Sequence, residues 1–210
     1  MNKFVLRAVC AAAGLAALSL PMSAIAESSI VIGAGPQSTS ARVDFRVVIE
    51  RVLFLQVGAG TLAATNGLIN LIDFNVPLAN VGDGTPIAAT LASGDLGNGA
   101  VTARVRANAG AVTLVSSTVG ALTDSLGGGN TLSFSQFSTT ATSLSGGPIL
   151  AAPALANGLG GSVAVPATGI ITNIDARWTY AYLNAAIVPP GIYGGVGTNN
   201  SRVTYTASVL

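Results

Sequence analysis

Residues 174–183 read IDARWTYAYL. Ile174, Ala176, Trp178, Tyr180 and Tyr182 fall on one parity, and Asp175, Arg177 and Thr179 on the other. A repeat of two with aromatics on the apolar side predicts a half-buried β-strand, because successive side chains leave a strand on opposite faces. The same alternation returns upstream in Ala100–Ala107, where Val101, Ala103 and Val105 oppose Thr102, Arg104 and Arg106. It returns downstream in Arg202–Val209, where Val203, Tyr205, Ala207 and Val209 share a face. It also marks Arg42–Ile49, with Val43, Phe45, Val47 and Ile49 on one side and Arg42, Asp44 and Arg46 on the other. Arg51 would fall on the apolar face of a strand continuing through Val52–Val57, so a bulge or bend is expected near Glu50–Arg51.

Further strands are expected at Leu68–Phe74, Ala111–Ser116, Thr131–Phe137 and Gly161–Val165. Asn108-Ala109-Gly110 reads as a hairpin turn between two of them. Asn66-Gly67, Asp83-Gly84, Asn98-Gly99 and Asn157-Gly158 are turn dipeptides. Helical periodicity is weak throughout. Leu150–Leu159 offers at most one short turn between Pro148 and Pro153. The expected fold is all-β, a single antiparallel Ig-like or jelly-roll-type β-sandwich of about nine or ten strands. An outer-membrane barrel would call for aromatic girdles, which the few aromatics of this chain do not provide.

The N-terminus has the layout of a secretory signal. Lys3 and Arg7 are followed by an apolar run from Ala8 to Leu20 and by the small residues Ala24 and Ala26. Pro21 ends the run, which is short for a membrane span. The expected organisation is a cleaved signal at 1–26, an N-terminal extension at 27–41 and a sandwich at 42–210.

Cleavage after Ala26 would remove Cys10, Lys3, Met1 and Met22, and the whole chain has no histidine. What is left has seven arginines against eight acids, which gives no basic footprint for nucleic acid or an anionic membrane. Stable membrane insertion after cleavage is not expected. Without His, Cys or Lys, a Ser/His/Asp triad, a Ser/Lys dyad, cysteine chemistry and His/Cys zinc sites are all excluded. A pair of carboxylates could still serve a glycosidase. Yet Asp83 and Asp95 sit in Gly-rich turns, VGDGTP and SGDLGNG, and the aromatics of a sugar cleft are scarce. No enzyme activity, cofactor or metal is expected.

One stretch imitates a nucleotide site. Residues 30–36, IVIGAGP, are followed by VVIE at 47–50, like a phosphate loop and a ribose-binding acid. Gly33 and Gly35 take the first two glycine positions, but the third holds Ser38. Only PQSTSAR separates Gly35 from Val43, whereas a parallel crossover takes at least about 10 residues, helix included. The helix whose N-terminus would hold the pyrophosphate has no room.

Pro190-Gly191-Ile192-Tyr193, a loop, and then Arg202-Val203-Thr204-Tyr205-Thr206-Ala207-Ser208 resemble the ending of secreted bacterial pilin-type β-sandwich subunits. These include chaperone–usher fimbrial and spore-coat-like proteins of Gram-negative cells. The resemblance implies a structural, non-enzymatic subunit of an extracellular filament, a fimbrium or pilus, or of a surface layer. It implies export through the periplasm, self-assembly by strand addition between copies or related subunits, and a periplasmic chaperone with an outer-membrane usher as partners. By the same resemblance Ser28–Gly35 is the candidate donor strand, with Ile30, Val31 and Ile32 as its assembly residues. An alternative function is a secreted or periplasmic carbohydrate-binding or adhesin module, using Trp178, Tyr180 and Tyr182 as an aromatic patch.

Overall fold

The computed structural model describes residues 27–61 and 67–209. The expected signal peptide and Asn66 of the Asn66-Gly67 turn lie outside the described residues. The chain divides between Ile49 and Glu50 into two units.

The second unit carries ten strands: β1 (Leu53–Val57), β2 (Ile87–Ala88), β3 (Ala100–Ala107), β4 (Val112–Thr118), β5 (Leu122–Thr123), β6 (Thr131–Leu132), β7 (Phe137–Thr142), β8 (Leu159–Val165), β9 (Thr172–Tyr182) and β10 (Val203–Val209). All ladders between them are antiparallel. One sheet runs β1-β3-β9-β7, with β2 continuing the line of β3 beside the end of β9. The second runs β10-β4-β8, and β5 and β6 form a small separate ribbon. The two larger sheets make a β-sandwich, and they do not close into a barrel.

The alternation read in IDARWTYAYL places its apolar parity inward. Val101 lies opposite Trp178, Ala103 opposite Ala176 and Val105 opposite Ile174, so six side chains share one face. Val112 and Leu114 of β4 and Val165 of β8 close the core from the other sheet. The indole of Trp178 is fully buried, and its Nε1 donates 2.7 Å to the Leu150 carbonyl. That bond satisfies the polar edge of the largest core residue. Phe74, Phe134 and Phe137 gather around Tyr182 at the end of the sheet, with centroid spacings of 5.5 Å from Phe74 to Phe137 and 5.6 Å from Phe137 to Tyr182. On the outer face Arg104 and Asp175 sit opposite each other, with Nη2 3.8 Å from Oδ2.

Four local expectations are corrected. Asn108-Ala109-Gly110 does not close a hairpin, because β3 and β4 lie in different sheets. The turn instead carries the chain across the sandwich, where the Gly110 N–H donates to Ile170 O and the Thr172 hydroxyl donates to Gly110 O. Leu68–Phe74 keeps its alternation, with Ile72 and Phe74 packed on the core. Its carbonyls serve the loop at 90–94, through Thr90 N to Asp73 O and Gly94 N to Leu71 O, and so no strand ladder forms. Residues 150–158 form no helical turn and pass beside β8, where Gly161 N donates 2.7 Å to Ala154 O. Arg42–Ile49 enters no ladder, and the regular pairing begins at Leu53. The second unit starts at Glu50.

The loop at Gly94–Gly99 shows why the sequence there is SGDLGNG. Gly94, Gly97, Asn98 and Gly99 all have positive φ, which glycine and asparagine tolerate best. A Cβ on Gly94 would lie 2.1 Å from the Ala100 carbonyl oxygen. Asp95 locks the loop onto β3, its Oδ1 accepting 2.9 Å from Thr102 N.

Candidate assembly surface

The first unit is described from Glu27 to Ile49, and every residue in that span is exposed and outside any strand or helix. Ile30 is 80% and Ile32 88% exposed, and Val31 is exposed too. Gly33–Gly35 form a bend, and the Gln37 amide donates to Gly33 O. No helix follows this bend, so the geometry of a phosphate cradle is missing there. Arg42 grips Glu27 with both arms of its fork, at 2.7 and 2.9 Å. Paired with the guanidinium, the Glu27 carboxyl titrates below its ordinary range, and Arg42 titrates above its own. Beyond this pair lies the second alternating row. Phe45 is 90%, Val47 81% and Ile49 80% exposed, and Val43 is exposed as well. Single exposed apolar residues are ordinary; four in strand register are a patch without a cover.

The sandwich has strand edges that no ladder covers among the described residues. β10 pairs only with β4 and β1 only with β3 among the described strands. The two edges lie in contact with each other without hydrogen-bonding as a ladder. Each carries an inward row that is only partly covered: Leu55 and Val57 on β1; Tyr205, Ala207 and Val209 on β10. The outward row of β10, Thr204, Thr206 and Ser208, is exposed and uncharged. Unpaired N–H and C=O groups along such an edge are a template for another strand. The other edges differ. The free side of β8 is met by Ala154 through Gly161 N, and β7 presents Thr139 and Ala141 inward.

Tyr205 anchors β10 across the core. Its ring packs 5.2 Å from the Trp178 ring, and its hydroxyl lies 2.8 Å from that of Tyr180. Burial pushes the Tyr205 hydroxyl up to about 12, and burial beside Tyr205 raises Tyr180 well above the usual phenol range.

Trp178, Tyr180 and Tyr182 are all buried. They form core rather than an aromatic face open to a sugar. The acids hold backbone. Asp83 accepts from Thr85 N at 2.7 Å and from Asn80 Nδ2 at 3.0 Å, and these donors keep its carboxyl below the ordinary value. Asp124 is likewise lowered, first by Asn130 Nδ2 at 2.9 Å and also by Leu126 N. Among the described residues, no three acids, histidines or cysteines come together as a metal-binding group. The grooves are modest. One of about 320 Å³ lies between β7 and Ala152–Leu155, and one of about 270 Å³ is bounded by Val52, Asn108 and Ile171. No helix among the described residues is long and apolar enough to cross a membrane.

The exposed row at Val43–Ile49 and the neighbouring edges β1 and β10 were not singled out as a site by sequence reasoning. Their signal was present as alternation. What alternation omits is which rows find a partner inside the same chain. Comparison with protein-family models, curated proteins and solved structures finds no match.

Proposed function

We propose that this chain is a non-enzymatic structural subunit of an extracellular filament, pilus- or fimbria-like, or of a surface layer, assembling by β-strand addition between copies. The observation that carries the reading is the pair of neighbouring strand edges, β1 and β10, that no ladder covers among the described residues. Two adjacent edge strands leave their inward rows half-covered, while an exposed apolar stretch of strand pattern precedes β1. Main-chain hydrogen bonds along an added strand would supply affinity, and its alternate side chains would finish the core. The pilin-type ending at Pro190–Ser208 and the leader-like N-terminus support export, and with it a periplasmic chaperone and an usher. The residue inventory supports a structural role, because Asp83, Asp95 and Asp124 engage the backbone or side chains of turns and loops and Asp175 an arginine. Burial of Trp178, Tyr180 and Tyr182 weighs against the sugar-binding alternative.

Electron microscopy of the purified chain, and of cells producing it, tests the proposal. Ordered polymers are expected in both. A chain that stays monomeric at high concentration, and whose deletion leaves surface structures unchanged, overturns it.

A further inference from the structure

The exposed row and the open edge match in three respects. Val43–Ile49 and β10 each span seven residues, so their lengths agree at about 3.3 Å per residue. The segment presents four alternate apolar side chains, Val43, Phe45, Val47 and Ile49. β10 presents Val203, Tyr205, Ala207 and Val209 at the same period, all partly covered. The opposite row of the segment, Asp44, Arg46 and Val48, would face water beside the uncharged outward row of β10, so that no charge is forced into the core and Val48 alone is an apolar side chain left outside it. Ile30–Ile32 is a poorer fit. Its two alternating side chains end at Gly33 and Gly35, where side chains would be needed, and the chain bends there.

The segment has a short lead into β1. It is joined to β1 by Glu50-Arg51-Val52 alone, and a hairpin back alongside β1 would need a tight turn in those residues. Such turns favour glycine, asparagine or aspartate, and these three residues include none of them. The junction is also held. Asn108 Oδ1 accepts from Val52 N at 2.8 Å, and Asn108 Nδ2 donates to Glu50 O at 2.7 Å. Those bonds fix the direction in which the chain enters β1.

Resting on the strand-addition reading above, we infer that Val43–Ile49, rather than Ile30–Ile32, is the donor strand, and that its acceptor is the free edge of β10 beside β1 in a second copy. Phe45 and Val47 enter next to Tyr205 and Ala207, and the sandwich of each copy is completed by its neighbour.

The test uses the purified full chain and a synthetic peptide copying residues 40–51. Wild type, Phe45→Asp with Val47→Asp, and Ile30→Asp with Ile32→Asp are compared by light scattering and negative-stain microscopy, with circular dichroism as the folding check. The inference expects the Phe45/Val47 variant to lose at least tenfold of the polymer while staying folded. The Ile30/Ile32 variant should assemble like wild type. The peptide should bind the Phe45/Val47 variant one to one and cap wild-type growth, while a peptide with Asp at both positions should do neither. Should the Phe45/Val47 variant fail to fold, capping of wild type decides. Polymer lost only in the Ile30/Ile32 variant overturns the donor assignment and leaves strand addition standing. A monomeric wild type whose Phe45/Val47 variant binds the peptide places the segment in its own chain and overturns the second-copy partner. A monomeric wild type with no peptide binding in any variant overturns strand addition itself.

Discussion

Val43–Ile49 and Ile174–Tyr182 carry the same pattern and meet opposite fates. Both alternate apolar with polar residues, and both place an aromatic near the middle of the apolar row, Phe45 in one and Trp178 in the other. In β9 the row lies inside a sheet with a ladder on each side, and its indole is sealed. In the N-terminal stretch the row has no ladder and stands in solvent. Alternation therefore encodes fitness to be a strand. It does not encode whose sheet the strand completes.

Substitutions can break or sharpen that contrast. The largest loss is expected from Trp178→Ala, which should cost about 3–5 kcal/mol of unfolding free energy by leaving a cavity and an unpaired Leu150 carbonyl. Denaturant titration reads it directly. Gly94→Ala comes next, at about 2 kcal/mol or more, because the added methyl meets the Ala100 carbonyl at a left-handed φ. Its thermal midpoint should fall accordingly. Asn108→Ala should cost about 1–2 kcal/mol, since it removes both bonds that hold Glu50 and Val52 at the entry to β1. Hydrogen exchange at the Val52 amide would report the loosened junction. Phe45→Ser should change the stability of the isolated subunit by no more than about 0.5 kcal/mol, as expected for an exposed side chain. A loss approaching that of Trp178→Ala would erase the contrast and make Phe45 a core residue of its own chain.

A pH titration tests the bridge between the sheets. Tyr205 is raised to about 12 in the fold, against an ordinary phenol near 10. The folded state thus holds its proton where the unfolded chain releases it. The stability associated with the neutral pair is full below about pH 10 and declines as pH rises toward about 12. Tyr180, shifted in the same direction, adds to the decline. Tyr205→Phe should flatten the alkaline limb of a stability–pH curve. An unchanged limb would mean that this pair is not what fails in alkali.

Much of the sandwich was legible as a list of strands. Ala100–Ala107, Ile174–Tyr182 and Val203–Val209 were visible because each alternates cleanly over seven or more residues and turns its apolar row inward, buried in the first two and partly covered in the third. The pairings were not legible. Asn108-Ala109-Gly110 has the composition of a hairpin, but its bonds go to Ile170 and Thr172 at the start of β9, and the strand that follows it, β4, lies in the other sheet. β7, FSTTAT, has little apolar contrast, because its position beside β9 depends on a ladder rather than on hydrophobicity. Leu68–Phe74 had the pattern of a strand and lost its backbone groups to a loop twenty residues on. For the candidate site, the residue types in Arg42–Ile49 could be read, while its having no strand ladder among the described residues could be seen only in the structure.

The order of pairing has a kinetic consequence. Thr118 of β4 meets Val203 of β10 across roughly 85 intervening positions, and β3 reaches β9 across about 70. Every long ladder in the sandwich joins segments distant in the chain, and the one tight pair, β5 with β6, spans two residues a side. Loop closure must be completed before such contacts return any free energy, so folding should be slow for the chain's size, on the order of milliseconds to seconds. Until β10 docks, the second edge of β4 and the face of Trp178 stay open. During that interval the chain is most exposed to mispairing, and a protein that sequesters unpaired strands would act then.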